Sequence, residues 1–316
     1  MDKKARIYVA GHRGLVGSAI LRKLQVSDFQ NVLTRTRSEL DLTNQQETES
    51  FFARELPEYV FLAAAKVGGI MANSTLPGDF IRENLQIQTN VIEAARRSGT
   101  KKLVFFGSSC IYPELAEQPI REDALLTGPL EETNSAYAVA KIAGIEMLAS
   151  YKKQYGFDSV TLMPCNLYGP NDNFDPYSSH VMAALVGRFA EAARQRAQEI
   201  VVWGTGTPVR EFLHVDDLAA AAVMVVSRET RHSIYNVGSG EGISIRELAL
   251  EIAKAAGFEG QLRFDPSKPD GTPKKVLDIS RIVEEGWTPT IPFSRGLREF
   301  YEHHAGRSLV SSGMEA

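Results

Sequence analysis

Residues 6–17, Arg6-Ile-Tyr-Val-Ala-Gly11-His12-Arg13-Gly14-Leu15-Val16-Gly17, decide the fold. A short apolar run, strand-like at 6–10, leads directly into a Gly-x-x-Gly-x-x-Gly turn, and a helical stretch follows at about 15–26. Glycines there let the backbone approach a pyrophosphate, whose charge is stabilised by free N–H groups at the helix start. A tight strand-to-helix turn is the plain alternative. The strand before and the helix after are the context that gives the glycines meaning.

Further strand-like runs at 32–33, 59–63, 103–106 and 160–163 alternate with helical stretches at about 45–55, 79–98 and 137–155. Short strands alternating with helices imply right-handed crossovers and a parallel, doubly wound sheet, with ligands beyond the carboxyl ends of its strands. After Pro164 the chain becomes turn-rich, through Asn166-Leu-Tyr-Gly-Pro170 and Asn171-Asp-Asn-Phe-Asp-Pro176. That change marks a crossing into a second lobe. A helix near 178–198, strands at 200–203 and 234–237 and a helix at 245–256 follow. The expected fold is therefore α/β: a Rossmann-type doubly wound parallel sheet with a smaller, discontinuous C-terminal substrate domain. The cofactor half takes 1–165 plus about 208–240, the substrate half about 166–207 plus 241–305, and 306–316 forms a loose tail.

At the end of the second strand, where NAD binders carry an acid for the ribose 2′-hydroxyl, the chain reads Leu33-Thr-Arg35-Thr-Arg37. Arginine there suits a 2′-phosphate, so the expected cofactor is NADP(H), clamped by Arg13 and Arg37. Ordinary solvated charge is the competing reading of both arginines. The edge continues through Ser38, Glu39, Leu40, Asp41 and Leu42; Asp41 has two readings, as a border of the adenine or as a cap of the next helix.

Tyr137 and Lys141 stand at i and i+4 on a helical stretch, so both side chains point the same way. A cation beside a phenol favours phenolate, which is expected to bring Tyr137 down from its usual value near 10 towards neutral acid/base work. Ser108, at the end of the apolar run 103–106, is placed to hold the same substrate oxygen. Alone, Tyr-x-x-x-Lys is a weak motif, read more often as a surface pair. With the glycines upstream and the serine between, the three point to dinucleotide redox chemistry at a sugar-like carbon.

A net charge of −4 gives no support to a nucleic-acid or membrane partner. Two cysteines, Cys110 and Cys165, with no signal-like start and no apolar run of membrane-spanning length, point to the reducing cytoplasm. No paired-cysteine or His-Glu-x-x-His motif points to a metal.

Five stretches together resemble the extended short-chain dehydrogenase/reductase family over nearly the whole chain: 11–17, 63–69 (Ala-Ala-Ala-Lys-Val-Gly-Gly), 107–113 (Gly-Ser-Ser-Cys-Ile-Tyr-Pro), 166–173 (Asn-Leu-Tyr-Gly-Pro-Asn-Asp-Asn) and 210–217 (Arg-Glu-Phe-Leu-His-Val-Asp-Asp). They are most similar to the members acting on GDP-sugars. The resemblance implies NADPH-dependent conversion of GDP-4-keto-6-deoxy-D-mannose to GDP-L-fucose, by 3,5-epimerisation and then 4-keto reduction. It implies that Phe106, Gly107, Ser108, Ser109, Lys141, Pro164, Cys165, Asn166, Leu167 and His180 border the cofactor, with Cys165 packed beneath the site. Arg188, Trp203, Arg210 and Asp270 are assigned to the GDP-sugar, against ordinary core for Trp203 and a turn for Asp270.

Epimerisation beside a ketone needs one group to remove a proton, another to return it from the opposite face, and a donor for the enolate oxygen. Cys110 and His180 suit the proton exchange, because thiol and imidazole values near 8.5 and 6.5 bracket neutrality. Packing is the alternative for Cys110 and helix capping for His180; His214 reads as a cap before the helix at 215. Family habit implies a homodimer through a four-helix bundle of the helices near 79–98 and 137–155. Their apolar residues Phe80, Ile87, Val91, Ile92, Ile142, Ile145 and Leu148 read equally as core against the sheet. A 4,6-dehydratase would carry an Asp-Glu pair where this chain has Ser109-Cys110. A UDP-hexose 4-epimerase would leave Cys110, His180 and Arg37 without a role, and a non-catalytic NADP sensor would not need both Tyr137 and Lys141.

Overall fold

In the computed structural model, residues 1–175, 177–268 and 270–312 are described. The strands are β1 (Arg6–Ala10), β2 (Asn31–Leu33), β3 (Tyr59–Leu62), β4 (Lys102–Phe106), β5 (Ser159–Pro164), β6 (Asn166–Tyr168), β7 (Glu199–Trp203), β8 (Val209–His214), β9 (Ile234–Val237), β10 (Gly242–Ser244), β11 (Gln261–Asp265) and β12 (Lys274–Lys275). The helices are α1 (Leu15–Val26), α2 (Gln45–Glu55), α3 (Ile70–Thr75), α4 (Pro77–Arg97), α5 (Ser135–Tyr155), α6 (Val181–Gln195), α7 (Val215–Val226), α8 (Ile245–Ala256), α9 (Ser280–Glu284) and α10 (Phe293–Ser312).

Six strands form one parallel sheet in the order β2-β1-β3-β4-β5-β9. Strands β4 and β5 are buried along their whole length, as continuous apolar runs covered on both faces should be. α1 packs beside α7, and α2, α4 and α5 pack side by side. The strand order reverses between β1 and β3, and that reversal opens a crevice at their carboxyl ends.

The second lobe is built on β10-β8-β12, with β6 added to β8, and on the parallel pair β11-β7. Its separate core gathers Met182, Val186, Phe189, Phe212, Leu248, Ile252, Leu297 and Phe300. The division differs from the expected one at two places. β8 pairs only within the second lobe, so the chain returns to the large sheet at α7 rather than near 208. Leu277, Ile282 and Trp287 join the larger core, because the chain crosses back alongside β9. Helix α10 continues to Ser312, so the expected loose tail is helical over its first part, and 313–316 lie outside the described residues.

Phe80, Val91, Ile92, Ile142, Ile145 and Leu148 are buried within the single chain, and Ile87 is partly so. The sheet and the α4–α5 contact use up this apolar surface. Asp217, 2% exposed, accepts hydrogen bonds from the Thr290 N–H (3.1 Å), the Thr290 hydroxyl (2.7 Å) and the Ile291 N–H (2.9 Å). One buried carboxylate thereby pins the segment after α9 to the start of α7.

Candidate active site

At the first crevice wall, Gly11 takes a left-handed φ of 81°, and a β-carbon on it would strike the Ala63–Ala64 backbone at the end of β3. A β-carbon on Gly17 would collide with the Gly11 carbonyl, so the turn exists only with glycine at both ends. Gly14 caps α1 without a side-chain bond, and the first turn carries no acid. Its first N–H groups are therefore left without a side-chain cap or a first-turn acid, as an anion site at a helix start requires. Leu15 and Val16 lie half-buried behind the turn, Arg13 is exposed at its rim, and the His12 Nδ1 is buried without a hydrogen-bond partner. A pyrophosphate fits this cradle.

Beyond β2, the Thr36 N–H and hydroxyl both bond the Glu39 carboxylate, at 2.7 and 2.8 Å, and Ser38 lies 3.0 Å from the Thr36 hydroxyl. Arg37 projects from this turn, 74% exposed, with Glu83 of α4 at 3.6 Å. Asp41 accepts from the Thr43 N–H and hydroxyl, and Asn44 is the residue that caps α2. The capping alternative for Asp41 is thereby replaced. Leu40 and Leu42 turn their side chains into the core. Arg35 pairs with Glu55 at 2.9 Å and is spent there.

The strand β4 ends at Phe106, and Gly107 is held against the Met163 side chain. Ser108 then caps a short 3-10 turn at Ser109–Ile111, accepting the Cys110 N–H at 3.1 Å. Its hydroxyl faces the Tyr137 phenol as a hydrogen-bond partner. Tyr137, in the first turn of α5, faces Ser108 and Cys110, and its phenol is pushed well above the ordinary tyrosine value, chiefly by burial and further by Cys110, with Ser108 opposing. The expected acidification by Lys141 does not occur. Lys141 instead donates to the Phe106 carbonyl at 2.8 Å, with its ammonium 6.0 Å from the Tyr137 ring centre. Burial draws Lys141 down to about 8. Both shifts have one cause: a dry pocket favours neutral phenol and neutral amine.

Pro164, Cys165, Asn166 and Leu167 form the floor. Cys165 is 6% exposed and its thiol is pushed up by burial, so it packs. Asn166 is fixed by a 2.9 Å bond to the Glu211 carbonyl, and Leu167 is half-buried.

From the second lobe, His180 precedes α6 without making the cap bond, and its imidazole is lowered by desolvation although it remains exposed to the cleft. The loop carrying it docks on the first lobe, where the Gly69 N–H bonds the Ser178 carbonyl at 2.9 Å. Arg188 bonds the Val201 carbonyl of β7, and Trp203, at the end of that strand, is 60% exposed. The Lys268 ammonium lies 5.6 Å from the centre of the Trp203 indole, and a ring left in water is a stacking surface. Asp270 accepts from the Thr205 N–H and hydroxyl, at 2.7 and 2.8 Å, and ties the 204–206 turn to its own loop. Arg210, largely buried and lowered by desolvation, lies where both Cys110 and Asp270 favour its charge. His214 caps α7 through Nδ1, as its position before the helix predicts.

Sequence reading missed two carboxylates shifted by their surroundings. Glu211, fully buried, accepts the Gly240 and Leu277 N–H groups at 2.7 and 2.8 Å, and burial pushes it up to about 7. Asp172, inside the run read as a turn, is raised to about 7 by burial, and its Oδ2 has no partner. Each lies in a stretch already singled out, but a lone acid in a strand or turn carries no local signal.

The sequence profile of the NAD dependent epimerase/dehydratase family matches residues 7–238. The chain belongs to this family. Among the relatives of this epimerase/dehydratase chain, a rice protein called probable GDP-L-fucose synthase 1 is 59% identical over 302 residues, covering 95% of this chain and 92% of its own. The GDP-L-fucose synthase of Escherichia coli is 51% identical, covering 95% of this chain and 96% of its own. Among solved structures, a GDP-mannoheptose C4 reductase from Campylobacter jejuni with NADP bound superposes with a TM-score of 0.89 at 38% identity, covering 96% of this chain and 99% of that one. None of the helices among the described residues is long and apolar enough to cross a membrane.

Proposed function

We propose that this member of the epimerase/dehydratase family converts GDP-4-keto-6-deoxy-D-mannose to GDP-L-fucose with NADPH, epimerising C3 and C5 before reducing C4. The observation that carries this reading is the meeting of Ser108, Cys110 and Tyr137 at the end of β4, which sets a thiol next to a ketone-binding pair. Near-full-length identity of 51–59% to proteins called GDP-L-fucose synthase supports the substrate.

Ser108 and Tyr137 donate to the C4 oxygen while Cys110 and His180 remove and return protons at C3 and C5. An enolate at that oxygen is stabilised most by donors already in place. NADPH, when bound, supplies the hydride that C4 accepts. Tyr137 then passes its proton to the C4 oxygen, and its raised phenol value keeps that proton in place until this step. An alkoxide is more basic still, so the transfer runs downhill. Lys141 is held on the Phe106 carbonyl and presents its remaining donors to the nicotinamide ribose. Arg188, Trp203, Arg210 and Asp270 hold the GDP moiety; Arg13 and Arg37 hold the 2′-phosphate. We place the protein in the cytoplasm as a homodimer through the outer faces of α4 and α5, where Val139 and Tyr155 are exposed. A monomeric mass in sedimentation removes that interface.

The test is to incubate the protein with NADPH and GDP-4-keto-6-deoxy-D-mannose and identify the product by NMR. GDP-L-fucose is expected. A product retaining the D-configuration at C5, or one changed only at C4, overturns the reading.

A further inference from the structure

Glu83 has no place in the chemistry above, yet it is a carboxylate only 9% exposed in the middle of a charged cluster. It lies on α4, 2.8 Å from the Lys66 ammonium and 3.7 Å from Arg82. Lys66 is fixed in turn: its N–H bonds the Asn84 Oδ1 at 2.9 Å, and Asn84 Nδ2 bonds its carbonyl at 2.9 Å. Asn84 also donates to the Phe80 carbonyl at 2.8 Å, so Glu83 sits on a rigid turn of α4 bolted to the loop after β3. The second Glu83 oxygen points outward to Arg37 at 3.6 Å.

Arg37 by itself is poorly restrained. Its side chain is 74% exposed, and Glu83 is its only ion-pair partner among the described residues. A long, solvated arginine must lose its rotamer freedom when it clamps an anion, and that loss weakens binding. Guanidinium carries five donors in a planar fork, so one edge can rest on a carboxylate while another edge stays free for phosphate.

We propose that Glu83 is the positioning residue for cofactor choice: it holds Arg37 over the ribose edge of the crevice, so that the 2′-phosphate meets a guanidinium already ordered. This rests on the assignment of Arg37 to that phosphate. Lys66 balances the Glu83 charge, which lets a carboxylate stand close to a phosphate site without repelling it. The loop bearing Lys66 and the helix bearing Glu83 thereby contribute to cofactor choice without touching the cofactor.

The experiment is a double-mutant cycle on the full chain, reading the Kd of NADPH and of NADH by quenching of intrinsic fluorescence. Glu83→Gln is expected to weaken NADPH about two- to tenfold, the cost of re-ordering one long side chain, with NADH changed less than twofold. In an Arg37→Ala background the same substitution should change neither. Glu83→Asp keeps the charge beside Lys66 while withdrawing it from Arg37 by one methylene, so it should reproduce the NADPH loss if Glu83→Gln fails to fold. Equal losses for both cofactors, or a loss that persists without Arg37, leave Glu83 a merely structural residue and overturn the proposal. Tighter NADPH with weaker NADH also overturns it, since Glu83 would then be a ribose acceptor. If Arg37→Ala alone keeps the full preference for NADPH, the assignment of Arg37 fails too.

Discussion

Tyr137→Phe removes one oxygen from the site and leaves the ring, and the structure says how much should be lost. The phenol stands with Ser108 and the Cys110 thiol at the end of β4, and burial keeps it protonated across the whole working range. Losing a positioned general acid costs a factor of about 10² to 10⁴, or roughly 3–5.5 kcal/mol of barrier. Ser108 moderates the loss. Its oxygen accepts the Cys110 N–H at 3.1 Å, so its own proton can still polarise the C4 carbonyl. We therefore expect hydride transfer to slow by about 10² to 10³, the lower part of that range. Single-turnover loss of NADPH absorbance with the 4-keto sugar measures it. Solvent deuterium entry at C3 and C5, followed on the same sample, should fall less, because Ser108 still supports the enolate. The wild-type rate should show no inflection from Tyr137 between pH 6 and 9, since its phenol lies above the usual value near 10. Hydride transfer within threefold of wild type, or an inflection in that window that the substitution abolishes, would refute the acid role as drawn.

Cys110→Ser and His180→Gln should each cut deuterium entry at C3 or C5 by about a hundredfold while moving NADPH affinity less than threefold; exchange unchanged in both removes them from proton transfer. Lys141 provides a pH test. Burial lowers it from 10.5 to about 8, so the ammonium is present below that value and lost above it. NADPH affinity should hold to about pH 7 and then fall roughly five- to tenfold as a charge-assisted donor becomes a neutral one. In Lys141→Met a flat profile is expected, and a retained fall assigns the titration elsewhere. Asp217→Ala strips three hydrogen bonds from Thr290 and Ile291, two of them from main-chain N–H groups, and should destabilise the chain by about 3–4 kcal/mol in urea unfolding, with a change under 1 kcal/mol arguing that the 290–291 segment repacks.

The large sheet was legible because its signals are local. Residues 6–17 announce strand, turn and helix in twelve positions, and each later strand of that sheet is an apolar run bounded by turns. The second lobe was harder to read for the same reason. β10 and β12 are three and two residues long, too short for any period, and they exist because β8 offers both edges for pairing. Catalytic candidates in motifs were readable, but their electrostatics were not. An i, i+4 spacing says that Lys141 and Tyr137 share a face; it does not say that the Phe106 carbonyl will capture the ammonium. Desolvation is a property of everything packed around a group, and so the sign of the Tyr137 shift came only with the fold.

That sign bears on how one pair of oxygen-binding groups serves two reactions. A tyrosinate would be a poor partner for either one, since an enolate and an alkoxide both need a donor at the same oxygen. With the phenol held neutral, Tyr137 and Ser108 are able to present donors throughout, and the base work we propose falls to Cys110 and His180. Those groups come from opposite sides of the cleft. Cys110 rides on the rigid end of β4, while His180 stands before α6 on a loop fastened to Gly69 by the Ser178 carbonyl. A planar enolate between them would offer one face to each. Inverting a carbon requires just such access from two sides, and a single lobe could not provide it. On the roles we propose for His180, Arg188 and Arg210, the second lobe serves the proton chemistry as well as holding the nucleotide.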